Sequence, residues 1–301
     1  MNFKVKTRFE GIYSFKAVNK DTGKERDLGS VSDSPNMIVT EGLDAMGSAG
    51  LLFQTCIVGT DSTTVSASDT GLGAQIASTT TIQADTNGAQ PSAPYFSWVR
   101  RTFRFAQGAA AGNLAEVGIK TSGNVLFSRA LIVDSSSLPT TLSILADEYL
   151  DVTYEFRAYA DIVDKVQNIM VNGTSYKVTL RSANVNSAAS YQLYGISSNM
   201  HSGSSYHSFY NGAIGPITGA PSGTSYTHGR TLRGSYLKGS FNRTFIFTAG
   251  LNNANFDGGV KSILLQTAQG NFQAEFNPPL PKNNYMILTI DLTLQWSKHD
   301  T

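Results

Sequence analysis

Apolar residues in this chain recur at every second position in short runs, and turn-forming residues separate the runs. That period puts alternate side chains on opposite faces of an extended backbone, so it selects strands over helices. Phe3, Val5 and Thr7 alternate with Lys4, Lys6 and Arg8. Between Ser97 and Phe105, Arg100, Thr102 and Arg104 share one face while Val99, Phe103 and Phe105 share the other, with Arg101 the exception. Residues 149–159 read as one long strand with Leu150, Val152, Tyr154 and Phe156 on its inner side. Residues 165–181 read as a tight hairpin, because Asn172-Gly173 suits the two positive-φ positions of a type I′ turn. Residues 241–247 and 285–296 add two further strands. Helical signals are few. Residues 40–47 support about two turns, with Thr40 as cap and Gly47 as stop, and residues 69–76 offer a second short helix weakened by Gly71 and Gly73.

A faint internal repeat organises these strands. Arg101-Thr102-Phe103-Arg104-Phe105 matches Arg243-Thr244-Phe245-Ile246-Phe247, and Gly108 and Asn113 match Gly250 and Asn255 at the same offset. Each copy continues through apolar runs, residues 117–119 and 126–133 against 260–265 and 272–276. Each then closes on a strand that starts with tyrosine, residues 149–156 against 285–292. The expected fold is all-β: two tandem β-sandwich domains, jelly-roll-like or immunoglobulin-like, with long loops and one or two short helices. The boundary falls near residue 160, giving domains 1–160 and 161–301, the second a diverged duplicate of the first. Residues 59–94 and 197–228 read as long loop-rich segments that serve function or reach a neighbouring subunit.

Composition narrows the function. With 301 residues the chain can bury a core without staples. Lysine and arginine number 23 against 22 acidic residues, a net charge of +1 that lacks the electrostatic footprint nucleic acid demands. Charged residues make up 15%, against about 25% in ordinary soluble domains, as expected of a surface that sits among neighbours. A single cysteine, Cys56, forms neither an internal disulfide nor a zinc site. It lies in an apolar run, as a small buried hydrophobe would. The first residues lack the apolar core of a signal peptide, and no run approaches the roughly 18 apolar residues of a membrane span. The expectation is a soluble protein made in the cytoplasm, without membrane insertion.

Reactive constellations are absent from the sequence. His201, His207 and His228 could be read as metal ligands, but no carboxylate lies between His201 and His228. Solvent-facing or interface histidines in a polar loop are therefore expected. Asp147, Glu148, Asp151 and Glu155 form the densest acidic cluster, and paired carboxylates could act on a sugar. On a strand, Asp151 and Glu155 share the outer face, so a solvated strand face is the expected explanation. Asp61, Asp69 and Asp85 lack calcium-loop spacing. No nucleophile elbow, phosphate loop or dinucleotide fingerprint occurs, and no catalytic residue, cofactor or metal is expected. The informative residues are aromatic. Tyr191, Tyr194, Tyr206, Tyr210 and Tyr226 lie among Ser, Gly and Asn, the mixture used by protein-binding loops and carbohydrate-contacting surfaces. They are the candidate interface, with burial of half of them in the core as the alternative.

Residues 34–47, Cys56-Ile57-Val58-Gly59-Thr60 leading into Ser68-Asp69-Thr70-Gly71-Leu72, and residues 105–119 with Gly108, Gly112, Asn113, Leu114, Ala115 and Glu116 resemble tail-associated virion proteins of tailed bacteriophages. Residues 126–132 and 145–155 extend the resemblance, which covers residues 30–160 well and the second half poorly. It implies a non-enzymatic structural role in the virion tail: a baseplate, tail-tip or fibre-attachment component, assembled as a homo-oligomer, with trimers common among fibres. The implied partners are copies of itself and other tail proteins, with a host surface receptor or glycan as a further partner. The chain lacks the repetitive shaft of a whole fibre and any coiled-coil stretch. A capsid decoration or head-fibre protein, and a glycan-binding or glycan-cleaving tail protein, are the competing readings.

Overall fold

A computed structural model describes residues 2–28, 31, 33–48, 50–187, 193–196, 206–229, 231–232, 234–267 and 269–299. The first half contains β1 (Asn2–Asn19), β2 (Glu25–Arg26), β3 (Ser34–Pro35), β4 (Met37–Ile38), α1 (Thr40–Ser48), β5 (Thr55–Gly59), β6 (Gln75–Thr79) and β7 (Ile82–Ala89). It continues with β8 (Phe96–Phe105), β9 (Gly112–Leu114), β10 (Glu116–Lys120), β11 (Leu126–Leu131), β12 (Leu142–Ile144) and β13 (Glu148–Ala160). The second half contains β14 (Lys165–Val171), β15 (Thr174–Ala183), β16 (Tyr206–Tyr210), β17 (Ser225–Gly229), β18 (Thr231–Leu232), β19 (Asn242–Ala249), β20 (Val260–Thr267), β21 (Gly270–Leu280) and β22 (Leu288–Lys298).

The fold is all-β, with α1 the one helix among the described residues. One large sheet runs β18-β19-β22-β1-β13-β8-β7, with β2 and β3 against β1. A second sheet, β4-β11-β10-β5-β6, and a third, β14-β15-β21-β20-β16-β17, pack on it. Strand β1 shows how. Phe3, Val5, Thr7, Phe9, Tyr13 and Ala17 are all buried and share one face. At one end of that face Phe3 meets Phe276 of the third sheet, ring centres 5.8 Å apart. At the other end the Tyr13 hydroxyl lies 2.6 Å from Ser128 Oγ of the second sheet. Both smaller sheets therefore cover the same face of the large one, giving two sandwiches that share a sheet. Buried side chains from both sides of residue 160 form one cluster.

The repeat read from the sequence falls on corresponding strands. β8 pairs antiparallel with β13 as β19 pairs with β22, and the hairpin β10–β11 occupies its sheet as β20–β21 does. β10 pairs β5, which pairs β6; β20 pairs β16, which pairs β17. β13 is antiparallel to β1 while β22 is parallel to it, so the flanks run in opposite directions, as an approximate twofold axis through β1 requires. The matched threonines lie at equivalent places: Thr102 Oγ1 is 2.8 Å from Thr153 Oγ1, and Thr244 Oγ1 is 2.8 Å from Thr293 Oγ1.

Several boundaries differ from the expectation. Strand β22 starts at Leu288, and Tyr285 and Ile287 before it are 86% and 64% exposed. The two ladders align Asp151 and Thr153 of β13 with Asp291 and Thr293 of β22, so the tyrosine-to-tyrosine match is four positions out of register. Residues 69–74 are irregular and lead into β6, which begins at Gln75, and the segment 59–94 contains the two strands β6 and β7. Gly47 lies inside α1 rather than stopping it. The helix is bracketed by contacts instead: the Val39 carbonyl accepts the Leu43 N–H at 3.0 Å, and a Cβ on Gly47 would sit 2.3 Å from the Tyr236 ring. At Gly42 a Cβ would come 2.0 Å from the Phe127 carbonyl oxygen, so only glycine lets α1 lie on β11. Gly42→Ala should lower the unfolding free energy by about 2 kcal/mol, the usual penalty of overpacking, measured by urea denaturation. The Asn172-Gly173 hairpin is as expected, with φ of 49° and 80° and Val171 facing Thr174.

Candidate assembly surface

The five candidate tyrosines do not share one surface. Tyr191 lies outside the described residues. Tyr194 bridges to Leu51, packs half-buried against the core, and its carbonyl accepts from Gln269 Nε2 at 2.6 Å. Tyr206 and Tyr210 begin and end β16, which pairs with β17, the strand that carries Tyr226. The Tyr206 side chain lies outside the described residues. Tyr226 faces Phe209 across the ladder, and Phe209 is fully buried against Phe247. Tyr226 is therefore on the inner face and packs on the core, while Tyr210, one step along from Phe209, is on the outer face.

His207 and His228 face each other across the same ladder but differ in burial. His207 shares the inner face with Phe209, is 2% exposed, and lies 4.8 Å from the Phe247 ring. It is a core side chain and not the solvent-facing one expected. Burial pushes its pKa down to about 4, and the neighbouring His228, its ring 5.5 Å away, pushes in the same direction. The alternation Tyr206-His207-Ser208-Phe209 carried the signal, since period two puts His207 beside Phe209. His228 is exposed on β17, and His201 lies outside the described residues. No group of three metal-ligating side chains occurs among the described residues. Cys56 is buried, and burial pushes its thiol well above the usual range.

Of the acidic cluster, Asp147 is exposed, whereas Asp151 and Glu155 share the outer face of β13 but are not solvated. Asp151 and Glu155 are each 8% exposed. Arg104 donates to Asp151 at 2.7 and 2.6 Å. Arg100 and Arg157 both hold Glu155, and Arg157 also reaches Glu10 at 3.2 Å. Arg26 grips Glu148 and holds its carboxyl below the usual range. Aromatic rings close the same face. Arg100 lies 4.2 Å over Trp98, Arg157 lies 4.8 Å over Phe96, and Tyr159 stacks on His299 at 3.9 Å. Trp98 also packs against Gly88, where a Cβ would be 2.4 Å from the ring. These rings are covered by protein groups that a sugar would have to displace, and the carboxylates already have cationic partners.

The three scattered aspartates are explained by arginines too. Arg101, the exception in its strand's alternation, points inward and donates to Asp85 at 2.8 and 2.6 Å and to the Phe53 carbonyl at 2.6 Å. Arg129 donates to Glu116 at 2.9 Å, Asp69 at 2.9 Å and Asp61 at 3.1 Å. Glu116 in turn accepts the backbone N–H groups of Gly73 and Ala74, at 3.1 and 2.8 Å. One buried arginine thereby fastens the segment between β5 and β6.

At the junction of the two halves, a cleft of about 500 Å³ opens between α1, the β10–β11 turn and residues 236–238. Its carboxylates are occupied as well. Asp44 accepts from the Tyr236 hydroxyl and the Gly239 N–H, both at 2.6 Å, and Glu41 pairs with Lys238 at 2.6 Å. Elsewhere it is apolar surface that faces water. Ile162, Val163, Val166 and Met170 are 49%, 70%, 57% and 67% exposed around β14. No family model, curated protein or solved structure matches the chain.

Proposed function

We propose that this chain is a non-enzymatic structural protein of a tailed-bacteriophage virion. In this reading it is a baseplate, tail-tip or fibre-attachment component that works through interfaces with its own copies and with other virion proteins. The observation that carries the reading is where the large apolar side chains are left in water. Some, such as Leu138 and Leu237, stand singly, but others gather on one sheet edge, Val163 to Met170, and on one loop tip, Tyr285 to Ile287. Grouped exposure of this kind marks surface that another protein covers. The arginine-bound carboxylates support a role without bond chemistry, because an acid or base already locked in an ion pair is poorly placed to exchange protons with a substrate. The resemblance of residues 30–160 to phage tail proteins supplies the setting.

Gold-labelled antibody against the chain, viewed on purified particles by electron microscopy, tests the setting. Label at the tail end is the expected result. Label over the head would favour the capsid-decoration reading, and particles without label would overturn a virion role.

A further inference from the structure

Strand β14 ends the third sheet, and among the described residues it pairs only with β15. Among the described residues, its other edge carries a row of backbone donors and acceptors open to a further strand. Soluble proteins commonly blunt such edges with proline, a bulge or an outward charge. The sequence Lys165-Val166-Gln167-Asn168-Ile169-Met170-Val171 contains no proline, and its ladder with β15 runs without a register shift. Its one charge, Lys165, is drawn back onto Asp161 at 2.9 Å. The tight Asn172-Gly173 turn fixes the register, so the exposure of Val166 and Met170 on one face is built in.

The strand is also complementary to itself. In an antiparallel pair centred on Asn168, Val166 meets Met170 of the second copy and Met170 meets its Val166. Asn168 then faces Asn168, and Lys165 faces an uncharged Val171. We propose that β14 is a homotypic docking edge that joins two copies of this chain by antiparallel strand addition about a twofold axis. This inference rests on the assembly reading above and names one of its contacts. Exposed Ile162 and Val163, just before the strand, extend the covered surface.

The test is cysteine cross-linking in the full chain. Cys56 is fully buried, so an introduced thiol is the accessible one. Asn168→Cys should give a disulfide-linked dimer on mild oxidation, because residues directly opposite in such a pair have Cβ atoms roughly 4.5–5.5 Å apart. Ser175→Cys, on the neighbouring strand, should not. The double variant Val166→Lys, Met170→Lys sets like charges opposite each other and should weaken self-association by at least about tenfold in sedimentation analysis. If the chain self-associates while Asn168→Cys stays unlinked and the double variant is unchanged, the edge proposal fails and the assembly reading stands. In assembled particles, linkage of the introduced thiol to a different virion protein would also overturn it. If the unaltered chain and every variant are monomers at all concentrations, both fall.

Discussion

Arg129→Ala should lower the unfolding free energy by about 3–5 kcal/mol, the range for removing one partner of a buried ion pair. The magnitude follows from Glu116. Its side chain is fully buried, and Arg129, only 4% exposed, is its cationic partner. Without that guanidinium a carboxylate remains in a low-dielectric site with only the amides of Gly73 and Ala74 to stabilise it. Asp61 and Asp69, 23% and 19% exposed, retain water and should cost less when changed to asparagine. Adding Glu116→Gln to Arg129→Ala should recover part of the loss, because it removes the stranded charge and keeps an acceptor for the Ala74 amide. Urea denaturation of the single and double variants measures both effects. A loss below about 1 kcal/mol, the worth of a surface pair, would show that the cluster does not hold this half together.

The second large effect is a pH dependence centred on His207. Its pKa is about 4 in the folded protein, against an ordinary value of 6.5. Above pH 6.5 both folded and unfolded states hold it neutral, and its stabilising contribution is complete. As pH falls from 6.5 to 4 the unfolded chain takes up a proton that the folded chain refuses, so stability is lost across that window. At about 1.36 kcal/mol per pH unit, the full loss approaches roughly 3 kcal/mol. His228 is the titratable group facing it, and its proximity adds to the lowering of the His207 pKa. His207→Leu keeps an apolar side chain against Phe209 and Phe247 and removes the titration. Its stability should be nearly flat between about pH 6.5 and 5, the part of the window least affected by carboxylates. An unchanged slope in the variant would contradict the assignment.

Local chemistry made part of this fold legible. The Asn172-Gly173 turn and the alternation of β13 each depend on neighbours in sequence, and each is where the residues place it. The correspondence of β8 with β19 was readable because the same face pattern recurs in both. The start of β22 was not, since Tyr285-Met286-Ile287 is as apolar as a strand and only the ladder to β19 shows where pairing begins. Strand β7 was hidden for the opposite reason: six of its eight residues are exposed, so no alternation marks it. The ion pairs were out of reach because partners such as Arg157 and Glu10, or Arg129 and Asp61, come together only through the sheets. That is also why Asp151 and Glu155 read as solvated. The scattering of the candidate tyrosines has the same origin. Tyr210 and Tyr226 look alike in a Ser- and Gly-rich segment, and strand pairing alone sends one outward and one inward.

The proposed role of this chain is to join protomers. Native mass spectrometry of the purified chain tests it most directly. The expected spectrum is a discrete homo-oligomer that persists on dilution into the micromolar range, as interfaces of standard size allow. A monomer throughout the accessible concentration range would contradict the claim.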